Sequence, residues 1–218
     1  MSIFNHIYTK LEINSEEIKE HPILITEPLL NPYNHRRQIA KILFDNFNVP
    51  ALSFGSQPIF SLWASGNKTG LVLESGEGVT QCCAVFDGYS IPHSYIRQNF
   101  AGRDVTEYLQ SLFKRVGHSF NTTAEFEIVK RIKETLCYTL ISNTYNDLEK
   151  KSTDTTLTNY FLPDGTTLPV KDEKVFAPEI MFNPSLIGSE YMRKIIIIFI
   201  NKIIDINSNI RYGNKLYI

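Results

Sequence analysis

A glycine-rich turn between two apolar runs is the part of this sequence whose residue types best suit chemistry. Residues 71–80 read Leu-Val-Leu-Glu-Ser-Gly-Glu-Gly-Val-Thr, so Glu74 stands just before Gly76 and Gly78. Glycines let backbone N–H groups approach an anion, and consecutive N–H groups of a turn can form an anion-binding nest. A carboxylate at a strand end can hold Mg²⁺ through water beside a phosphate. The pattern indicates a phosphate and magnesium site, while the same Gly-X-Gly spacing is also typical of a plain hairpin.

The cysteines and His93 are weaker candidates for chemistry. Cys82 and Cys83 are adjacent and Cys137 is distant, which gives neither a Cys-X-X-Cys pair nor an even disulfide framework. We interpret the cysteines as packing residues in a reducing compartment, the cytoplasm or nucleus, and assign them no metal. His93 follows Pro92 and is interpreted as a hydrogen-bonded structural histidine.

Composition and charge exclude several classes of partner. The chain has 218 residues with 22 Lys and Arg against 23 Asp and Glu, a formal net charge of −1. It therefore lacks the positive field that favours nucleic acid or a membrane surface. The longest apolar run, residues 195–200, is too short to cross a bilayer, which takes about 20 residues. No basic cluster followed by an apolar core opens the chain, so we expect no secretory signal.

Helical spacing of apolar residues positions four elements around the turn. We predict helices over residues 35–47 after a cap near Asn34, over 57–64 ending at Ser65-Gly66, from Asp104 to about 116, and from Thr122 to about 142. The last helix begins with Thr122 and Glu125 at the spacing of a capping box.

Strand spacing predicts a β-meander that contains the glycine-rich turn. The expected strands are residues 70–73, 79–86 and 89–91, with Asp87-Gly88 as the second turn. A separate hairpin is expected from residues 160–162 and 168–170 around Pro163-Asp164-Gly165, after a surface loop at 152–158. Residues 191–218 contain ten isoleucines and differ in composition from the rest. We interpret them as a divergent tail, with a wrongly joined gene as one hypothesis.

The segment around the glycine-rich turn closely resembles the second phosphate-binding loop of the actin family. Further stretches match that family in order and spacing between residues 3 and 190; they are residues 21–27, 30–32, 47–51, 61–66, 101–104, 127–138, 162–165 and 177–182. Within the family, residues 7–10, 48–52 and 125–130 are most similar to the centractin subgroup of actin-related proteins.

The resemblance implies an α/β protein with part of the actin-like, ribonuclease-H-like ATPase fold, and ATP with Mg²⁺ as cofactors. Carried over position by position, it implies three sets of roles. The phosphates would be bound by Gly76, Glu77, Gly78 and Val79; the ribose and adenine by Gly102, Lys130, Lys133 and Glu134; and the Mg²⁺ and attacking water by Glu74, Gln57 and Gln81. Without the resemblance, Gln57 could equally be a surface amide, and Lys133 with Glu134 would more often be a solvated helix face.

The sequence also departs from the family pattern. Both acidic positions of the turn are Glu where the family usually has Asp, and Gln81 replaces a histidine, so we expect slow ATP hydrolysis. The chain is expected to begin inside the first actin subdomain and to lack the first phosphate loop and its lysine. We assign residues 1–65 to part of the first subdomain, 66–190 to the third and fourth subdomains, and 191–218 to the tail.

The implied function is that of an ATP-binding filament protomer in the cytoplasm and cytoskeleton. Its partners would be other actin-family protomers and, for a centractin-like chain, dynactin subunits, with no nucleic acid and no membrane insertion. Enzymatic activity would be at most a slow ATPase. Two alternatives are a nonpolymerising actin-related scaffold of a nuclear or chromatin complex and, more remotely, a phosphotransferase related to the sugar kinases, which share the fold.

Overall fold

The computed structural model describes residues 2–139 and 156–188. These residues divide into two compact units, each with its own apolar core. Unit 1 comprises residues 2–74 and 81–97, and unit 2 comprises residues 75–80, 98–139 and 156–188. The chain thus passes out of unit 1 at Glu74 and returns to it at Gln81. The predicted tail lies outside the described residues, and the subdomain assignment stays a prediction.

Unit 1 begins with two helices and a strand-helix-strand segment. These are α1 (Ser2–Lys10), α2 (Ser15–Ile18), β1 (Ile23–Glu27), α3 (Tyr33–Phe47) and β2 (Leu52–Ser56). β1 and β2 pair in parallel, from Ile23 opposite Leu52 to Glu27 opposite Ser56. Alternate strand residues and the inner faces of the helices build one core around Ile18, Leu43 and Val49. Glu27 ends β1 with its side chain buried, which places a charge at the carboxyl edge of this sheet.

The predicted meander follows in unit 1. Helix α4 (Gln57–Ala64) leads to β3 (Gly70–Ser75), β4 (Thr80–Phe86), β5 (Tyr89–Ser90) and β6 (Ile96–Gln98), and the sheet order is β3-β4-β5 with β6 also pairing with β4. Asp87 and Gly88 form the turn between β4 and β5, both with positive φ (47° and 82°). Positive φ at both central residues is the type I′ geometry that suits the twist of a hairpin, so this turn is confirmed.

Unit 2 packs two longer helices against a hairpin and a short helix. Its elements are α5 (Gly102–Arg115), α6 (Thr123–Leu136), the antiparallel strands β7 (Thr158–Phe161) and β8 (Thr167–Val170), and α7 (Glu173–Glu179). The core includes Leu109 and Phe113 of α5 and Val129 and Ile132 of α6, all fully buried. The antiparallel pairing of β7 with β8 confirms the predicted hairpin. The predicted capping box of Thr122 and Glu125 at the start of α6 is also confirmed.

Several element boundaries differ from the predictions. Helix α3 starts at Tyr33, two residues early, because Pro32 takes the capping position and supplies no side-chain bond. In α5 the cap is Ala101, and Asp104 accepts the Ala101 N–H from the third helical position. Helix α6 ends at Leu136 and not near residue 142, because Cys137 is extended and the Tyr138 N–H donates to the carbonyl of Lys174.

Candidate functional site

A carboxylate–amide cluster in unit 1 consists of Glu74, Gln57, Gln81 and Ser61. Glu74 lies near the end of β3, Gln81 lies near the start of the neighbouring β4, and Gln57 is the first residue of α4. Gln81 Nε2 donates to Glu74 Oε2 at 2.7 Å and to Gln57 Oε1 at 3.1 Å. Ser61 Oγ donates to the other oxygen of Glu74. The three residues predicted to hold magnesium or position water thus form one hydrogen-bonded group.

Gln81 is the fixed centre of this cluster. Its side chain is buried, and its Oε1 accepts the N–H of Leu29, itself buried, at 2.7 Å. All three hydrogen bonds of the amide therefore point to partners in other segments of unit 1. A buried amide with its bonds satisfied is held in one orientation. Gln81 thus sets the direction of the Glu74 carboxylate.

Cysteine chemistry plays no part in this cluster. Cys83 follows on β4 with its side chain fully buried. Burial, then the neighbouring Cys82 and Glu74, raises the pKa of the Cys83 thiol to about 12. A thiol that stays protonated is a poor nucleophile and a poor metal ligand, which agrees with the packing role expected for it.

A second group, the glycine-loop cluster, lies in unit 2 and consists of residues 76–79 with Gly102, Arg103, Lys130 and Lys133. The loop is closed by the Gly76 N–H, which donates to the Val79 carbonyl at 3.0 Å. Its carbonyls also receive the first N–H groups of α5: Gly102 N–H donates to Gly76 O at 3.0 Å and Arg103 N–H to Glu77 O at 2.8 Å. The loop thereby satisfies helix donors that would otherwise lack partners.

Gly102 is glycine because the loop and α6 both approach it closely. An added Cβ would lie 3.1 Å from the Gly76 carbonyl oxygen and 3.2 Å from Lys133 Nζ. Lys133 reaches this point from α6 and donates to the Gly102 carbonyl at 2.9 Å. Two of the predicted ligand-binding residues are therefore in direct contact, and the loop, α5 and α6 meet at Gly102.

The loop glycines have no comparable structural reason within the described residues. A Cβ on Gly78 would meet nothing within 4 Å, and one on Gly76 would meet only the Val79 oxygen at 3.9 Å. Neither glycine has positive φ, so the alternating backbone of a nest is not formed and the loop is a hairpin turn here. Space beside both glycines is open, which is the space that a ligand contacting the backbone would need.

The charges of the cluster are three cations around one carboxylate. Lys130 Nζ lies 3.1 Å from Glu77 Oε2, and Arg103 Nη2 lies 3.7 Å from Glu77 Oε1. The hydrogen bond from Lys130 and its charge lower the pKa of Glu77, and the same contact raises the pKa of Lys130. Burial lowers the pKa of Lys133, which donates to a neutral carbonyl. Glu134 also acts by its charge on Lys130 and Lys133, and Glu127 acts on Lys130, so three carboxylates balance the three cations. The cations that lie beside the loop could still receive an anionic ligand.

The predicted residues fall into two groups with one outlier. Gln57, Glu74 and Gln81 meet in unit 1, and residues 76–79, Gly102, Lys130 and Lys133 meet in unit 2. Glu134 is exposed on α6 and reaches Lys130 and Lys133 through its charge. Sequence reasoning missed Ser61 and Arg103, although Arg103 directly follows a glycine already in the predicted set.

An ion pair at the end of β1 was also missed. Burial alone would raise the pKa of Glu27, but hydrogen bonds from Arg36 and Asn31 outweigh it and lower the pKa. Arg36 Nε donates to Glu27 Oε2 at 2.9 Å and Asn31 Nδ2 donates to the same oxygen at 2.8 Å. The spacing of nine residues between Glu27 and Arg36 gave no periodic signal. We interpret this pair as structural, since it joins β1 to α3.

Comparison with known proteins decides the family. The family model described as Actin matches residues 1–203. The chain belongs to the actin family. An actin-like protein of Neurospora crassa is 44% identical over 189 residues, which cover 84% of this chain and 50% of that protein. The predicted α/β actin-like fold is confirmed as a partial one, and this actin-family chain spans about half the length of the curated relative that it matches.

Two further observations limit the chemistry of the described residues. Residues 2–139 and 156–188 contain no helix that is both long and apolar enough to span a bilayer. The same part of the chain holds no group of three or more His, Cys, Asp or Glu placed to bind a metal ion.

Proposed function

We propose that the chain binds ATP and that residues 76–79 of the glycine-loop cluster contact its phosphates. The observation that supports this most is the position of three cations, Arg103, Lys130 and Lys133, beside two loop glycines with open space around them. The N–H groups of Glu77 and Gly78 donate to no other described residue, so they remain available to an anion. Membership of the actin family supports the same ligand.

Lys133 and Gly102 would lie toward the ribose and adenine, with Lys130 and Glu134 lining the same region, as the family resemblance implies. Lys130 also reaches the glycine loop, because its Nζ donates to Glu77 Oε2 at 3.1 Å. Lys133 fits a positioning role because its ammonium is already fixed on the Gly102 carbonyl at 2.9 Å. A half-buried ammonium held in this way keeps one direction while its remaining two N–H groups can reach a ligand. Glu134 is exposed, so its share in binding would be smaller.

We further propose that Glu74 holds Mg²⁺ through water and that Gln57 and Gln81 orient the attacking water. The residues fit a water-mediated metal because both Glu74 oxygens accept hydrogen bonds from neutral donors, which leaves the carboxylate charge uncompensated. Mg²⁺ keeps several of its waters in such sites. When bound, the metal would neutralise phosphate charge. Gln57 would donate its amide N–H₂, since its Oε1 is already used by Gln81.

The wider role that we propose is that of a filament protomer of the centractin-like kind, in the cytoplasm and cytoskeleton, with actin-family protomers and dynactin subunits as partners. The 44% identity with an actin-like protein supports the actin family, and the resemblance of residues 7–10, 48–52 and 125–130 to centractin is the reason for the finer choice. Sedimentation of the full chain with actin-family protomers would test the filament role, and purification of a tagged full chain from cells would test the partners. Recovery of nuclear assemblies in place of dynein-associated ones would favour the nonpolymerising scaffold.

The nucleotide proposal is tested by calorimetry of Mg·ATP with the full chain and two lysine variants. We expect micromolar or tighter binding that Lys133→Met weakens about 10- to 150-fold, because a hydrogen bond to a charged group contributes about 1.5–3 kcal/mol. Lys171→Met is the matched control, since Lys171 is an exposed lysine of the same unit outside the cluster. No binding by the folded wild-type chain, or equal loss in both variants, would contradict the proposal.

A further inference from the structure

Glu77 is an anion built into a cluster otherwise suited to binding anions. Its backbone belongs to the glycine loop, and its carboxylate lies between Lys130 and Arg103. We infer that the Glu77 carboxylate is an internal counter-anion that competes with nucleotide phosphates for Lys130. This inference rests on the proposed function, because it describes how the same cluster regulates its affinity for a polyphosphate.

The contact with Lys130 is the stronger of the two. Lys130 Nζ donates to Glu77 Oε2 at 3.1 Å across 53 residues of sequence, and the Lys130 side chain is 26% exposed. Arg103 Nη2 is 3.7 Å from Glu77 Oε1 and its side chain is 62% exposed. An ion pair weakens with distance and with exposure to water. Lys130 is thus the cation that Glu77 holds, and Arg103 stays accessible to solvent.

The geometry makes the competition direct. The Glu77 carbonyl accepts the Arg103 N–H at 2.8 Å, which fixes the backbone from which the carboxylate extends. A phosphate that contacts the N–H groups of Glu77 and Gly78 comes close to this carboxylate, and like charges repel. Lys130 can then neutralise either the carboxylate or the phosphate. Binding therefore requires Lys130 to leave Glu77 or to be shared with the ligand.

The Glu77 carboxylate should lower the affinity of the cluster for a polyphosphate, and an isosteric replacement of Glu77 should raise that affinity. Glu77→Gln removes the charge, keeps the side-chain shape and leaves the bonds of the Glu77 backbone intact. Removing one unit charge close to a bound polyphosphate in a solvent-exposed setting should change binding by about 3- to 10-fold. Part of the gain should need Lys130, since the carboxylate holds that cation, and the rest comes from removing the repulsion between carboxylate and phosphate.

The test uses inorganic tripolyphosphate as the probe, in EDTA, so that neither base contacts nor a metal contribute. Dissociation constants are measured by calorimetry at low ionic strength for the wild-type full chain, Glu77→Gln, Lys130→Gln and the double variant. Glu107→Gln is the matched control, because it makes the same change of net charge at an exposed position on α5. We expect Glu77→Gln to bind about 3- to 10-fold more tightly, with Glu107→Gln within twofold of wild type. In the Lys130→Gln background the gain should be no more than half as large, because only the direct repulsion remains to be removed.

An unchanged or weaker affinity in Glu77→Gln would overturn the inference, as would an equal gain in Glu107→Gln or a full gain without Lys130. Absence of tripolyphosphate binding in every variant would overturn it as well. The proposed function is judged separately by Mg·ATP binding to the wild-type chain. Tight Mg·ATP binding together with no effect of Glu77→Gln on tripolyphosphate would leave that function standing and remove only the counter-anion.

Discussion

Replacing Gln81 by methionine should destabilise unit 1 through lost hydrogen bonds alone. Methionine has a similar length and no hydrogen-bonding amide, so Gln81→Met removes the bonds to Leu29, Glu74 and Gln57 without opening a large cavity. The Leu29 N–H is buried and would be left without an acceptor, at a cost of about 1–3 kcal/mol. Glu74 and Gln57 are half-buried, so water can replace part of their loss. The expected fall in the free energy of unfolding is about 2–3 kcal/mol.

Trp63, the single tryptophan, lies on α4 in the same unit and reports its unfolding by fluorescence. In urea titrations the midpoint should fall by about 1 M, given a slope of about 1–3 kcal/mol per M. Gln57→Met is the matched variant, because it loses one bond of 3.1 Å at a half-buried position and should cost about 0.5–1 kcal/mol. A loss in Gln81→Met no larger than that of Gln57→Met would refute the view that Gln81 is the fixed centre of the cluster.

Three other outcomes are expected. Gly102→Ala should lower both the unfolding temperature and the ATP affinity, because its Cβ meets the loop carbonyl at 3.1 Å. Gly78→Ala should lower the ATP affinity alone, because its Cβ meets nothing within 4 Å. Equal effects of the two variants on the unfolding temperature would contradict this. The pKa of Glu27 is lowered by folding, so its contribution is fully present above the unfolded-state pKa and is lost as pH falls through the folded-state pKa. The free energy of unfolding of Glu27→Gln should therefore fall less than that of the wild type as pH falls below about 4.5. An equal fall in both proteins would show that Arg36 has no part in holding that carboxylate. Single-turnover phosphate release should be slower than in actin assayed alongside, because the longer Glu74 side chain is held by Ser61 and Gln81, and an actin-like rate would be evidence against this.

Local signals were the ones that sequence reasoning could use. The capping box at Thr122 and Glu125 and the turn at Asp87 and Gly88 depend on residues within four positions of each other, and both formed. The end of α6 depends instead on a bond from Tyr138 to the carbonyl of Lys174, far along the chain. The apolar spacing continues to Leu140 and predicted a longer helix, because it contains no information about that bond.

The site shows the same division. The glycine loop could be predicted from residues 71–80 alone, and the family resemblance added site residues far from it in sequence, such as Gln57 and Lys133. The hydrogen bonds that join Gln81 to Leu29, Gln57 and Glu74 could not be predicted from the sequence, because those partners come from separate segments that only the fold brings together. The parallel pairing of β1 with β2 across α3 was missed for the same reason.

Binding of nucleotide phosphates at the glycine loop is tested most directly by amide hydrogen exchange of the full chain with and without Mg·ATP. The N–H groups of Glu77 and Gly78 donate to no other described residue, so they should exchange fast in the free chain. With saturating Mg·ATP we expect slower exchange at residues 77–78 and at the start of α5, and no change in β7 and β8. Unchanged exchange at residues 77–78 under conditions where calorimetry shows bound ATP would place the nucleotide elsewhere and contradict the account.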